Sequence, residues 1–188
     1  MRKKLSILAV SVLLFASCNV VKETATSSDV VKITRPCSLK DYPSSTGLLR
    51  ASSVGVSVSE PTAKKKATIN ARGELATSID VLIKAVNTTF AESIEVDDRE
   101  SFLGKFNSKI TEVVKQKISK SIIVCDELRY NKETKKYSNY VAVELNAADL
   151  LKEITAQISS DEEMKARFAE HKYNDTYNAE LEMLDQLV

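Results

Sequence analysis

Residues 122–145, IIVCDELRY-NKETKK-YSNYVAVEL, decide the fold of this chain. Two runs rich in β-branched and aromatic residues, 122–130 and 137–145, flank the polar, turn-forming segment 131–136, and this spacing predicts an antiparallel hairpin. The period differs on both sides of it. Upstream, Phe102, Phe106, Ile110, Val113, Val114 and Ile118 recur at three and four residues, which predicts a helix. Downstream, Asn146 is placed to cap a helix carrying Leu150, Leu151, Ile154 and Ile158, and Ser160-Asp161-Glu162-Glu163 reads as a capping box for a last helix.

Further upstream, beyond a break at Val96-Asp97-Asp98, lies the longest periodic stretch, with Ala67, Ala71, Leu75, Ile79, Leu82, Val86 and Phe90 on one face. Ser59, Glu60 and Pro61 supply its start, a polar cap followed by a residue whose φ is already helical. Small residues at its front suit a place where a sheet comes close. Before it, Val54, Val56 and Val58 alternate as in a strand, with Gly55 marking a bend or a close approach. The order β-α-α-β-β-α-α predicts an α+β domain over residues 48–188, a small antiparallel sheet with long helices packed on one face.

The amino terminus gives an address. A basic tip, Arg2-Lys3-Lys4, leads into an apolar run at residues 5–16, too short to span a bilayer, which takes about 20 residues, and well suited to the apolar region of an export signal. Ala16-Ser17-Cys18 resembles the lipobox of bacterial lipoproteins, in which the cysteine is acylated and the preceding peptide removed. This resemblance implies a signal peptide at residues 1–17, Cys18 as the lipidated first residue of the mature chain, and a membrane anchored through covalent lipid. Acyl chains contribute about 0.8 kcal/mol per buried methylene, so two or three together hold stably. Asn19 is not the Asp that resembles an inner-membrane retention signal, and no acidic cluster follows Cys18, so the expected location is the outer membrane facing the periplasm, with surface exposure left open.

Removing residues 1–17 takes three of the 27 Lys and Arg and none of the 26 Asp and Glu, leaving 24 − 26 = −2. A near-neutral chain has no electrostatic footprint for nucleic acid, and no such partner is expected. Residues 18–47, rich in Ser, Thr, Lys and Asp with Pro36 and Pro43, read as a flexible tether; extended at roughly 3.3 Å per residue it would reach up to about 90 Å. The alternative within it is an extra edge strand at Val30-Val31-Lys32-Ile33. Of the cysteines left after lipidation, Cys125 lies in an apolar string and reads as a small buried hydrophobe, while Cys37 sits in a polar, Pro-flanked segment; a Cys37–Cys125 disulfide stays open, since an exported chain meets an oxidising compartment.

Two passages carry a family resemblance. Arg50-Ala51-Ser52-Ser53-Val54-Gly55-Val56-Ser57 with the helix through Ala67-Thr68-Ile69-Asn70-Ala71-Arg72-Gly73-Glu74-Leu75-Ala76, and the strand Tyr140-Val141-Ala142-Val143-Glu144-Leu145, resemble the lipoprotein-twenty family of small bacterial outer-membrane lipoproteins, whose domain is similar to parts of flagellar assembly proteins. The resemblance spans roughly residues 49–155. It implies a fold and an envelope role, not a reaction.

Catalytic signatures are sparse. The single histidine, His171, rules out a multi-histidine zinc cluster within one chain, and its pairing with Asp175 at i, i+4 is the spacing of a solvated helix face. Phosphate-loop, nucleophile-elbow, dinucleotide and Cys-x-x-Cys patterns do not occur. The expectation is a chain with no catalytic residues, no metal and no cofactor beyond the lipid on Cys18. Lys64-Lys65-Lys66 gathers cations where a helix start disfavours them, and reads as a solvated face or a contact for anionic headgroups. Tyr173, Tyr177, Leu181, Leu184 and Val188 share a helical face, which either packs on the domain or meets a partner. The functional expectation is a non-enzymatic envelope adaptor or assembly module; the alternative is a membrane-anchored binder of a small hydrophobic or glycan ligand held between helices and sheet.

Overall fold

The hairpin supplies the centre and one edge of the sheet. The computed structural model describes residues 33–45, 47–94 and 98–186, of which those from Thr34 onward belong to one unit. Strand β1 (Leu48–Ser57) is followed by helices α1 (Glu60–Ser93) and α2 (Arg99–Ser119), strands β2 (Ile122–Asn131) and β3 (Lys136–Asn146), and helices α3 (Ala147–Ser159), α4 (Glu162–Arg167) and α5 (Glu170–Gln186). The strands pair antiparallel in the order β1-β3-β2. At the hairpin tip, Asn131 Oδ1 accepts hydrogen bonds from the backbone N–H groups of Glu133 and Thr134, both at 2.9 Å, so one side chain satisfies two turn donors.

One face of the sheet carries the core. Leu49 and Ala51 of β1 and Val141, Val143 and Leu145 of β3 are buried with Ala67, Ala71 and Leu75 of α1. Ala63, Ala67 and Ala71 are the reason α1 comes so near, because a larger residue there would hold it off. The fit is closest at Gly55, where an added Cβ would run into the Ala63 carbonyl, the Ala67 amide nitrogen and Lys66 Cβ. Ser59 caps α1 by position, yet its hydroxyl accepts from Thr62 Oγ1 (3.2 Å) and not from a backbone N–H. Asn146 does cap α3 directly, its Oδ1 accepting from Asp149 N at 3.0 Å.

Helix α1 outruns the sheet. Its 34 residues span about 50 Å against about 33 Å for the ten residues of β1. The overhang is wrapped by helices: Phe90 of α1, Phe102 and Phe106 of α2, Phe168, and Tyr173 of α5 form an aromatic cluster with ring centroids 5.2–5.9 Å apart. Each such pair adds about 0.5–1.5 kcal/mol beyond area burial.

The predicted last helix is two. Asp161, one residue past the expected cap, accepts from Met164 N at 3.1 Å and starts α4, which stops at Phe168 in extended geometry before α5 begins. The break delivers the Phe168 ring to the cluster, so burial of an aromatic outweighs continuing the helix. A second correction concerns residues 34–47, expected as the end of the tether. They belong to the folded unit, and Gly47, at φ 89°, turns this segment into β1. Ile33 lies outside any strand, and residues 30–32 of the expected edge strand lie outside the described residues, as do residues 1–17 and Cys18.

Candidate functional site

The sheet's second face is strapped by a covalent bond. Cys37 and Cys125 form a disulfide across 88 positions of sequence, so the reading of Cys125 as an unpaired hydrophobe is overturned. Two features of the fold put the sulfurs together. An irregularity between Ile123 and Cys125 shifts the register so that Cys125 lies opposite Ala142, on the face away from the helices, and the segment ahead of β1 crosses that face with Cys37 buried. Arg50 fastens the same segment, pairing with Glu144 at 2.6 Å and donating from Nη1 to the Pro43 carbonyl at 2.7 Å.

This segment also covers the start of the β1 edge of the sheet. Ser44 Oγ accepts from Arg50 N (3.0 Å) and donates to Arg50 O (3.3 Å), while Ser45 and Leu48 exchange both backbone hydrogen bonds. Lys66 Nζ reaches Val56 O at 3.4 Å. The opposite edge, β2, is different: Ile122 is 64% exposed, Tyr130 50% and Leu128 41%, and among the described residues no hydrogen bond meets its outward backbone.

The apolar face of α5, read as either core or a possible interaction face, is core. Tyr173 and Tyr177 are fully buried, Leu181 is buried, and Leu184 packs half-buried against them; Val188 lies outside the described residues. Tyr173 donates to Asn87 Oδ1 (3.4 Å) and Tyr177 to Ala147 O (2.9 Å), and burial pushes the ionisation of both phenols upward. Of the two alternatives for this face, packing on the domain is what the structure has, because α1 and α3 need an apolar lid where no sheet covers them.

The space between helices and sheet, proposed for a small ligand, is filled by the alanine stripe, Leu75, Val141 and Val143. Open concavity lies elsewhere, between the antiparallel helices α1 and α2. A groove of about 560 Å³ is floored by Ile83 and Leu103 and rimmed by Asp80, Lys84, Glu92 and Arg99. It runs on, through Asp80, Ile83 and Thr111, into a second hollow of about 360 Å³ with Ile110, Val114 and Ile118 on its floor. Asn87 Nδ2 donates to Asn107 Oδ1 at 2.8 Å across the first groove, joining its walls.

Charge clusters resolve into internal pairs. Lys64 meets Asp126 of β2 at 2.5 Å, and Asn139 donates to the same carboxylate at 2.7 Å. The hydrogen bond from Lys64, then that from Asn139, holds the Asp126 carboxyl below its ordinary range, and Asp126 in turn raises Lys64. With Lys66 on Val56, the run at the start of α1 leaves Lys65 as its outward cation. His171 and Asp175 pair at 3.1 Å on an exposed turn of α5, and among the described residues no three His, Cys, Asp or Glu side chains converge as a metal site. No described helix is long and apolar enough to cross a membrane.

Neither protein-family models, nor curated proteins, nor solved structures yield a match to this chain. The reading of its surfaces therefore rests on the residues themselves. Sequence reasoning missed Arg50–Glu144, Lys64–Asp126 and the α1–α2 groove; the first two become visible only once strand order is known, since each joins elements far apart in sequence.

Proposed function

We propose that this chain is a bacterial cell-envelope lipoprotein, anchored through acyl chains on Cys18 after removal of residues 1–17, whose non-enzymatic α+β domain is an adaptor for other envelope proteins. The observation that carries this reading is the Cys37–Cys125 disulfide. Such bonds persist in exported proteins and are reduced in most cytosols, which agrees with the export signal and the lipobox-like Cys18. Outer-membrane attachment facing the periplasm follows from Asn19 as the residue after the anchor, and the resemblance to the lipoprotein-twenty family implies the same compartment.

The adaptor half of the proposal draws on shape. The grooves along α1 and α2 are open and elongated, with an apolar floor and a rim of both charges, a form that suits a polypeptide segment better than an enclosed small molecule.

The test is crosslinking in intact cells followed by purification of the acylated full-length chain, beside a Cys18→Ala control. The expected result is one stoichiometric envelope protein, lost in the control, and a palmitate label confined to Cys18. An unlabelled chain recovered from the soluble fraction overturns the anchor, and a catalytic turnover abolished by a point substitution overturns the adaptor.

A further inference from the structure

We propose that the open edge of β2 pairs antiparallel with the same edge of a second copy of this chain, about a two-fold axis through Leu128, joining two three-stranded sheets into one of six strands. The backbone geometry selects the residues. Leu48 and Arg50 send their N–H and C=O groups away from β3, to Ser45 and to Ser44, so the Arg50↔Glu144 pair is of the non-hydrogen-bonded kind and Glu144 turns its own backbone toward β2. Alternation along the ladder then gives Cys125, Glu127 and Arg129 to β3, opposite Ala142, Tyr140 and Ser138. Asp126, Leu128 and Tyr130 are left pointing their backbone groups out of the sheet.

An edge of this kind is a template for another strand, and its side chains specify which strand. Registers that use the outward groups differ in steps of two residues. Setting Asp126 against the partner's Leu128 places Glu127 against the partner's Glu127, and setting Leu128 against the partner's Tyr130 places Arg129 against the partner's Arg129; both put like charges directly opposite. Setting Leu128 against the partner's Leu128 places Glu127 against the partner's Arg129, and Arg129 against the partner's Glu127, in the close, non-hydrogen-bonded positions where side chains interact most.

Within one chain Glu127 and Arg129 pair at 2.8 Å, with Arg129 over the Tyr140 ring, so both charges are presented on one face of the sheet. On the other face the half-exposed Leu128 and Tyr130 cover the axis. On β1 the outward groups of Leu48 and Arg50 and the Val56 carbonyl are already taken by Ser45, Ser44 and Lys66, whereas β2 offers its outward groups over Asp126, Leu128 and Tyr130, and this makes β2 the edge that a second copy fits. The pairing depends on this strand alone and not on the anchor or an envelope role.

The experiment measures self-association of the detergent-solubilised full chain by analytical ultracentrifugation, for the wild type, Glu127→Arg and Arg129→Glu, with near-UV circular dichroism confirming that each is folded. The wild type is expected to dimerise, with the Leu128 amide gaining protection from hydrogen exchange as concentration rises. Each single variant faces like charges across the axis and should associate about tenfold more weakly, as two cross-strand pairs change sign. Mixed one to one, the two variants restore complementary charges, and heterodimers should form at wild-type strength. A wild type that stays monomeric overturns the proposal, and so does association that ignores both substitutions or a mixture no stronger than either variant alone. Protection of Leu128 that appears only with another envelope protein present also overturns it, by giving the edge to that partner.

Discussion

Tyr177 donates its phenolic hydroxyl to the carbonyl of Ala147 at 2.9 Å, with both residues fully buried. The bond ties α5 to the first residue of α3, and through Ala147 N, which donates to Gly47 O at 2.9 Å, to the turn before β1. Removing only the hydroxyl in Tyr177→Phe should cost about 1 kcal/mol. Removing the ring in Tyr177→Ala should cost roughly 3–5 kcal/mol, because a cavity opens under α5. Denaturant unfolding of the two variants gives both numbers, and equal costs would deny the ring its place in the core.

Alkali should open the same region. Burial raises the ionisation of Tyr173 and Tyr177 above the ordinary value of 10.0. A group whose folded value is raised contributes stability that is whole below its unfolded value and is lost as pH climbs past it. Phenolate absorbance from these two residues should therefore rise in step with loss of near-UV dichroism, above about pH 10. In the double variant Tyr173→Phe, Tyr177→Phe that coincident step should vanish; phenolate signal from Tyr173 in a fully folded chain would contradict the burial.

Reducing the Cys37–Cys125 bond releases a closed loop of 88 positions. Loops of that length stabilise chiefly by constraining the unfolded chain, and roughly 2–4 kcal/mol should be lost in Cys37→Ser, Cys125→Ser. Because Arg50, Glu144 and Pro43 still hold the strap, the fold should survive at lower melting temperature. Alkylation mass with and without reductant reads the bond directly, and two alkylated thiols in the untreated chain would remove it.

Local chemistry made much of this architecture legible. Pro61 and the Ala67-to-Phe90 periodicity mark α1, Asn146 marks the start of α3, and the hairpin is written in its own loop. The strand order could not be read, since β1 reaches β3 across two helices, and the disulfide follows from that order plus one irregularity near Val124 that no composition reveals. The α5 face was ambiguous for a similar reason. An apolar stripe has the same pattern whether it faces its own domain or a partner, and only the position of Phe90 and Tyr173 decides between them.

Gly55 is required by the space at its Cα. A methyl group there meets backbone atoms of Ala63 and Ala67, which cannot rotate aside as a flexible side chain would. Gly55→Ala should destabilise by about 1–3 kcal/mol, the usual cost of overpacking, by lifting the front of α1 from the sheet. Gly73, with open space at its Cα, is the control: Gly73→Ala in mid-helix should stabilise by about 0.5–1 kcal/mol. A thermal melt of the pair separates a steric effect from a general intolerance of α1 to substitution.

Asp126 couples the start of α1 to the edge strand, and its two partners make different demands. Lys64 depresses its ionisation, so the charge contribution is present above the ordinary carboxylate value of 3.8 and fades as pH falls through the lower folded value; for Lys64, raised from 10.5, it persists below 10.5 and fades as pH rises past the higher folded one. Lys64 is 54% exposed on its side chain and Asp126 31%, so solvent and salt screen the pair, which should contribute no more than about 1 kcal/mol. Asn139 is another matter. It is buried, its amide donates to Asp126 Oδ1, and leaving that donor unpaired costs about 1–3 kcal/mol. Asp126→Asn, which keeps an acceptor oxygen, should lose only the screened charge term, and its deficit against the wild type should shrink between about pH 5 and about pH 2. Asp126→Ala should lose more, the excess over Asp126→Asn being the unpaired Asn139 amide and changing little with pH, while the charge part of its deficit shrinks over the same range. If the two variants were equally destabilised at neutral pH, the hydrogen bond to Asn139 would have no part in holding β2 to β3.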